Sequence, residues 1–244
     1  MESLDSGEIK MDISLRLKTI AKEVAGKTVA DIATDHAYIP IYLCNQKSIS
    51  KAIASDVNKA PLERAKYNIC SYSCQDKIET RLGYGLEKIA YAEVESIVIA
   101  GVGGCLIVEI LEREPEKTKS FKQLVIQPQS DIYKVRKCLH KIGFEILDEH
   151  MVYEDGKFYT IINCESRGSE VQSEYSEVEY TLGKILIQRK DKVLSEYLKA
   201  EMQKYENIMS KSPDLQNDLE NGLHNIKQKY EVYKEVYEYV HKST

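Results

Sequence analysis

Five short segments of the chain gather side chains able to bind or orient a small ligand. The first, Asp31-Ile32-Ala33-Thr34-Asp35-His36-Ala37-Tyr38-Ile39-Pro40, crowds two carboxylates, a hydroxyl and an imidazole into one loop. Taken alone, Asp35-His36 reads as a helix cap followed by a solvated imidazole, in a loop that must be tight. The second, Ser55-Asp56-Val57-Asn58, ends a short apolar run with an acid placed to accept hydrogen bonds from ribose hydroxyls. A cap is the alternative for Asp56, although Asn58 stands better before Pro61. Gly83-Tyr84-Gly85 and Gly101-Val102-Gly103-Gly104 are glycine turns that allow positive φ and close approach of a ligand to the backbone. Gln127-Pro128-Gln129 adds two amides, each able to donate to and accept from a base edge.

Those segments need elements to hold them, and the hydrophobic spacing supplies a plan. Ile13, Leu17, Ile20 and Val24 repeat at helical intervals, and Thr28 to Ala33 reads as a buried strand. Further strands are predicted at Lys51–Asp56, Lys77–Leu82, Glu95–Ala100 and Lys122–Gln127, with helices at Lys59–Ser73, Gly103–Glu112 and Asp131–Ile142 between or after them. Alternating strands and helices make a parallel sheet covered on both faces. Phe144–Tyr153 and Lys157–Cys164, joined by Glu154-Asp155-Gly156, then read as a hairpin. The fold class is α/β: five parallel strands closed by an antiparallel hairpin, the plan of class I Rossmann-like methyltransferases that use S-adenosylmethionine. A dinucleotide-binding sheet stays parallel to its last strand and carries its glycine fingerprint after the first, so nicotinamide chemistry is disfavoured. In such a sheet all the segments above fall at the carboxyl ends of strands, where ligands bind.

After Cys164 the sequence turns polar, which predicts a boundary near residue 165 between a domain of residues 1–165 and a second of residues 166–244. The second domain is expected to be an antiparallel helical hairpin or coiled coil. One helix is predicted over Val178–Ser210, and after Lys211-Ser212-Pro213-Asp214 another carries Leu219, Leu223, Ile226, Tyr230, Tyr233, Tyr237 and Val240 at alternating steps of four and three.

Composition narrows the function classes. A chain of 244 residues with 43% hydrophobic and 30% charged residues is globular, and 34 basic against 39 acidic residues exclude a general affinity for nucleic acid. Contact with a polyanion must then come from a local patch. The best candidate is Lys10 to Lys27, where Arg16, Lys18 and Lys22 join the two terminal lysines against Asp12 and Glu23; a solvated helix face is the alternative. Met1–Lys10 does not resemble a secretory signal, and no apolar run spans a bilayer, so a cytoplasmic protein without membrane attachment is expected. The six cysteines form no CxxC pair and lack histidines at zinc spacing; reduced thiols, no metal and a monomer are expected.

Taken in order, Asp-Ile-Ala-Thr-Asp-His-Ala-Tyr-Ile-Pro, Ser-Asp-Val-Asn-Lys-Ala-Pro-Leu, Gly-Tyr-Gly-Leu, Ile-Ala-Gly-Val-Gly-Gly, Ile-Gln-Pro-Gln and Glu-Asp-Gly-Lys-Phe-Tyr resemble the bacterial tRNA adenine-22 N1-methyltransferase family across nearly the whole chain. The resemblance implies methyl transfer from S-adenosylmethionine to N1 of the adenine at position 22 of tRNA. It implies cofactor binding by Asp31, Ala33, Thr34, Asp56, Val57, Gly83, Tyr84, Gly85, Gly101, Val102, Gly103 and Gly104. Asp35, His36 and Tyr38 become the catalytic group, with Asp35 accepting from the exocyclic amine. Gln127, Pro128 and Gln129, together with Arg16 and Lys18 of the basic patch, are the expected substrate contacts. The sequence departs from the family at Ala33 (glycine), Tyr84 (aspartate), Val102 (methionine) and Gln129 (asparagine). A non-catalytic RNA-binding relative with an altered cofactor pocket is the alternative. N1 of adenine carries an in-plane lone pair, so in the implied methyl transfer positioning outweighs base strength.

Overall fold

In a computed structural model, the described residues are 11–169, 171, 175–211 and 220–241. Lys10 of the basic patch, most of the Lys211–Asp214 turn, Leu219 and the side chain of Leu223 lie outside them. The chain divides into two compact units: Met1–His150 with Tyr159–Ser173, and Met151–Phe158 with Glu174–Thr244. The division therefore crosses the predicted hairpin as well as the polar segment that follows it.

A seven-stranded sheet belongs to the first unit apart from its hairpin tip, Met151–Phe158. Its strands are β1 (Thr28–Ile32), β2 (Lys51–Asp56), β3 (Ile78–Leu82), β4 (Ser96–Val102), β5 (Gln123–Pro128), β6 (Phe144–Glu154) and β7 (Lys157–Ser166), in the spatial order β3-β2-β1-β4-β5-β7-β6. The first five are parallel and β7 runs antiparallel to β5. The chain moves outward from β1 to β3 and returns to place β4 on the other side of β1. That reversal creates a crevice at the carboxyl ends of β1 and β4. Central strands are apolar on both faces because helices cover both: Ile97, Val98 and Ile99 of β4 and Leu124, Val125 and Ile126 of β5 are fully buried. Each such side chain contributes about 1.5–3 kcal/mol of burial.

The helices of this unit are α1 (Leu15–Glu23), α2 (Tyr38–Asn45), α3 (Lys59–Ser71), α4 (Gly104–Arg113), α5 (Pro115–Lys119) and α6 (Ile132–Lys141). Ser14 starts α1 by accepting the Leu17 amide at 3.3 Å. α6 carries Arg136 into the interior, where it meets Glu149 of β6 at 2.7 Å; both are essentially inaccessible to solvent.

The second unit holds α7 (Glu177–Leu182), α8 (Lys184–Gln188), α9 (Lys192–Lys211) and α10 (Glu220–His241). The single helix predicted over Val178–Ser210 is thus three. Gly183 at φ +96° breaks it first, and Lys190 at φ +54° breaks it again. Asp191 then restarts it by accepting the amides of Val193 and Leu194 at 2.9 and 3.0 Å. α9 and α10 pair through Tyr205 and Tyr233, with ring centroids 5.7 Å apart, and through Tyr230, whose hydroxyl donates to Glu206 at 2.8 Å. Leu194, Leu198, Tyr233, Val236 and Val240 form the apolar seam of this unit. Among the described residues no helix is long and apolar enough to cross a membrane.

Candidate active site

The loop after β1 turns sharply because two of its alanines are left-handed, Ala33 at φ +59° and Ala37 at φ +56°. Left-handed backbone costs an L-residue about 1–2 kcal/mol, so the glycine usual at Ala33 has a conformational reason. Thr34 locks the turn: its amide donates to the Ser55 carbonyl at 3.0 Å and its hydroxyl accepts the Ala37 amide at 3.1 Å. The two acids of the loop end in opposite environments. Asp31 is buried, and burial pushes its carboxyl up to about 7; a hydrogen bond from Thr34 opposes the rise and the charge of Asp56 adds to it. Asp35 stands in solvent with its side chain 59% exposed.

Asp35 is nonetheless firmly oriented. Arg64 of α3 approaches its Oδ1 through Nε, at 3.1 Å, and Nη2, while His36 Nε2 lies 3.1 Å from Oδ2. His36 in turn stacks flat on Tyr38, with centroids 4.9 Å apart and planes 9° from parallel, and its carbonyl accepts from Asn68. The expected catalytic trio is therefore one contiguous surface, joined by a fourth side chain, Arg64, that the sequence did not single out. Arg64 lies 29 positions beyond Asp35, past α2 and β2, and no spacing rule links the two.

On the neighbouring strands, Asp56 at the end of β2 spends one oxygen on the Asn58 amide at 2.7 Å, so it is a local cap with a second oxygen remaining. Asn58 occupies the N-cap position of α3 without a side-chain cap bond. Val57 beside Asp56 leaves 55% of its surface in solvent, an apolar ledge on the rim. Tyr84 is turned onto α4: its hydroxyl donates to Glu109 at 2.8 Å and Arg113 lies over its ring at 4.8 Å. Gly85 at φ +51° packs against Ile110, and a β-carbon on Gly83 would collide with Lys88.

At the crevice, Gly101 has φ +80°, and a β-carbon there would meet only Arg16 Nη1, at 4.0 Å. Its backbone is open to a ligand. β4 bulges between Ala100 and Val102, and Gly104 tucks its amide against the Ser130 carbonyl at 3.1 Å so that α4 can start. The exposed Gln129 closes this corner through its backbone, donating to the Val102 carbonyl at 2.9 Å. Gln127 is fully buried and its amide is committed within the protein: Oε1 accepts from Arg16 at 2.7 Å and Nε2 donates to the Pro128 carbonyl at 2.9 Å. Arg16 also lies over the ring of Tyr159, the third residue of β7, at 5.1 Å. Lys18, by contrast, is paired with the exposed Asp12 at 2.6 Å.

The family model for a methyltransferase domain matches residues 13–162. The tRNA (adenine(22)-N(1))-methyltransferase of Bacillus subtilis is 35% identical over 158 residues, which span 64% of this chain and 66% of that enzyme. A putative tRNA methyltransferase of Mycoplasma pneumoniae is 30% identical over 72% of this chain and 82% of its own. The crystal structure of Streptococcus pneumoniae Sp1610, a putative tRNA (m1A22) methyltransferase, is similar with a TM-score of 0.85 and 31% identity over 93% of this chain and 100% of that one. The chain belongs to the tRNA (adenine-22 N1)-methyltransferase family. Sp1610 has also been solved in complex with S-adenosyl-L-methionine, and that structure matches with a TM-score of 0.82 and 30% identity over 93% of this chain and 100% of that one. The family's sequence segments land here on five adjacent strand ends, β3-β2-β1-β4-β5, around one crevice.

Proposed function

We propose that the chain is an S-adenosylmethionine-dependent tRNA methyltransferase that modifies N1 of adenine 22, acting as a cytoplasmic monomer. The observation that supports this reading is the position of Asp31, Asp56 and the Gly101–Gly104 turn at the carboxyl ends of the adjacent strands β1, β2 and β4, with Asp35 in the loop after β1. The residues present fit the cofactor. Asp31 supplies a buried carboxyl for an ammonium group, Asp56 keeps an oxygen for a ribose hydroxyl, Val57 offers an apolar surface to a planar base, and Gly101 opens the backbone. When bound, S-adenosylmethionine supplies a methyl group activated by its sulfonium.

Asp35 holds the target. With Arg64 and His36 on its two oxygens, the carboxylate keeps lone pairs for the exocyclic amine of adenine and offsets the positive charge that arrives with the methyl group. Its role is orientation and charge stabilisation, since the lone pair of N1 is already nucleophilic. Tyr38 and His36 present a stacked aromatic face beside it. Arg16, buttressed by Gln127 and Tyr159, is the rim cation best placed for a phosphate. In this reading residues 166–244 form an arm that grips tRNA.

The test is incubation of the protein with labelled cofactor and unmodified tRNA, followed by mapping of the methylated nucleotide. Methylation at N1 of adenine 22 supports the proposal, and a methyl group elsewhere overturns the substrate assignment. Calorimetric titration with S-adenosylmethionine separates the enzyme from a non-catalytic relative altered at Ala33 and Tyr84, which predicts no binding. Deleting residues 166–244 is expected to weaken tRNA binding far more than cofactor binding; equal loss of both would make the arm purely structural.

A further inference from the structure

Away from the crevice, a line of polar side chains crosses the sheet beneath the end of α1. Ser96 of β4 donates to Gln123 of β5 at 2.6 Å, Gln123 donates to Asn163 of β7 at 2.9 Å, and Asn163 donates to Glu23 Oε2 at 2.9 Å. Gln123 also donates to the Glu23 carbonyl at 2.7 Å, so both the backbone and the side chain of Glu23 are fixed. The line ends on the edge strand β6. His150 Nε2 lies 2.9 Å from Glu23 Oε1 and 3.5 Å from Asp148 Oδ2, and the three atoms stand within 4.8 Å of one another.

We infer that Glu23, Asp148 and His150 form a binding site for a divalent transition ion. Three features support a coordination shell. First, ligand atoms bound at about 2.0–2.2 Å in octahedral or tetrahedral geometry sit about 2.8–3.6 Å apart, and the two distances from His150, 2.9 and 3.5 Å, fall in that range. Second, each carboxylate has its outer oxygen occupied by an N–H donor, Asn163 on Glu23 Oε2 and the Glu149 amide on Asp148 Oδ1 at 2.7 Å, which leaves the inner oxygens aimed at the imidazole nitrogen. Outer-shell hydrogen bonds of this kind hold metal ligands in place. Third, the side chains of Glu23, His150 and Asp148 are 16%, 29% and 38% exposed, while the His150 Nε2 atom itself is shielded from solvent and faces both carboxylates. One nitrogen and two carboxylate oxygens suit zinc, cobalt or manganese better than the all-oxygen preferences of calcium and magnesium.

The site would act on α1. Arg16 and Glu23 are seven positions apart, two helical turns or about 10 Å, and lie on one helix face. Arg16 meets Gln127 at the carboxyl end of β5 and Glu23 meets Gln123 at its start. A metal joining Glu23 to β6 pins the helix whose other end delivers Arg16 to the rim.

Cobalt(II) is the probe, because its visible spectrum reports ligand type and the exposed thiols of Cys70 and Cys105 are competing sites. Titration of the full, tag-free chain is expected to show saturable binding of one equivalent, with d–d bands and without thiolate charge-transfer absorption. His150→Gln and, as a second variant, Glu23→Gln are expected to weaken binding at least tenfold, and Asn163→Ala about tenfold. Circular dichroism establishes that each variant is folded. Absence of saturable binding means the triad is an ion pair only and overturns the proposal, as does binding unchanged in both folded ligand variants or a thiolate spectrum.

Discussion

Asp31 makes the cofactor affinity of this protein depend on pH in a calculable way. Burial holds its carboxyl at about 7, so near neutrality it is poised between an acid and an anion. An ammonium-bearing ligand selects the anion, and its observed affinity scales with the ionised fraction. That fraction is about 3% at pH 5.5 and about half at pH 7, a ratio of roughly fifteen. Titration calorimetry with S-adenosylhomocysteine at constant ionic strength from pH 5.5 to 7 should show this tightening; the upper limit stays below the ligand's own amine, which titrates at about 7.7–8. Asp31→Asn is expected to bind more weakly and with a flat profile. Stability supplies an independent check of the same shift. Between about pH 4 and 7 the folded protein keeps a proton that the unfolded chain has lost, so stability falls as pH rises through that window, by on the order of 4 kcal/mol at most. Asp31→Asn removes that loss, so its melting temperature should gain on the parent from pH 4 to 7. A parent affinity constant over pH 5.5–7, or a slope that survives in Asp31→Asn, would refute the reasoning.

Other perturbations have equally defined outcomes. Ala33→Gly relieves about 1–2 kcal/mol of left-handed strain and adds about 0.4–1 kcal/mol of unfolded-chain entropy, for a net gain of about 0.5–1 kcal/mol. Differential scanning calorimetry should register it as a rise of about 1–4 °C. Arg136→Ala strands the buried Glu149 carboxylate and should cost about 3–5 kcal/mol in urea unfolding, whereas Arg136→Met with Glu149→Leu should recover most of that loss. In Gly104→Ala the new methyl group faces the Ser130 carbonyl and the Asp131 β-carbon, neither of which can swing away, and about 1–3 kcal/mol of stability should be lost in the same assay.

How far the sequence foretells this molecule depends on how local each determinant is. Strands β1, β2, β4 and β5 were legible because apolar runs buried on both faces look the same wherever they occur, the edge strand β3 only from its place in the alternation, and the hairpin from Asp155-Gly156. The breaks between α7, α8 and α9 were missed because the apolar period continues across Gly183 and Lys190 while the backbone does not. In the site, residue types were legible and environments were not. Asp31 and Asp35 are the same side chain four positions apart, yet one is buried and the other is in solvent, because Ala33 and Ala37 adopt a conformation their type does not advertise. Arg64, Tyr159 and the group formed by Glu23, Asp148 and His150 are brought into place by tertiary structure alone. Gln127 shows the converse: an amide expected to face substrate is spent on holding Arg16.

The direction of β7 has a consequence for how this protein can change over time. Every parallel strand delivers its last residues to the rim, but β7 runs the other way and delivers its first, including Tyr159. An insertion in a loop after a parallel strand leaves the residues of that strand in register, although it displaces loop residues such as Asp35. Between the Asp155-Gly156 turn and Tyr159 there is no such slack, because adding one residue moves the side chain to the opposite face of the sheet. Insertions there are tolerable only in pairs or as a bulge, so this corner of the rim should vary in residue type while its length stays fixed.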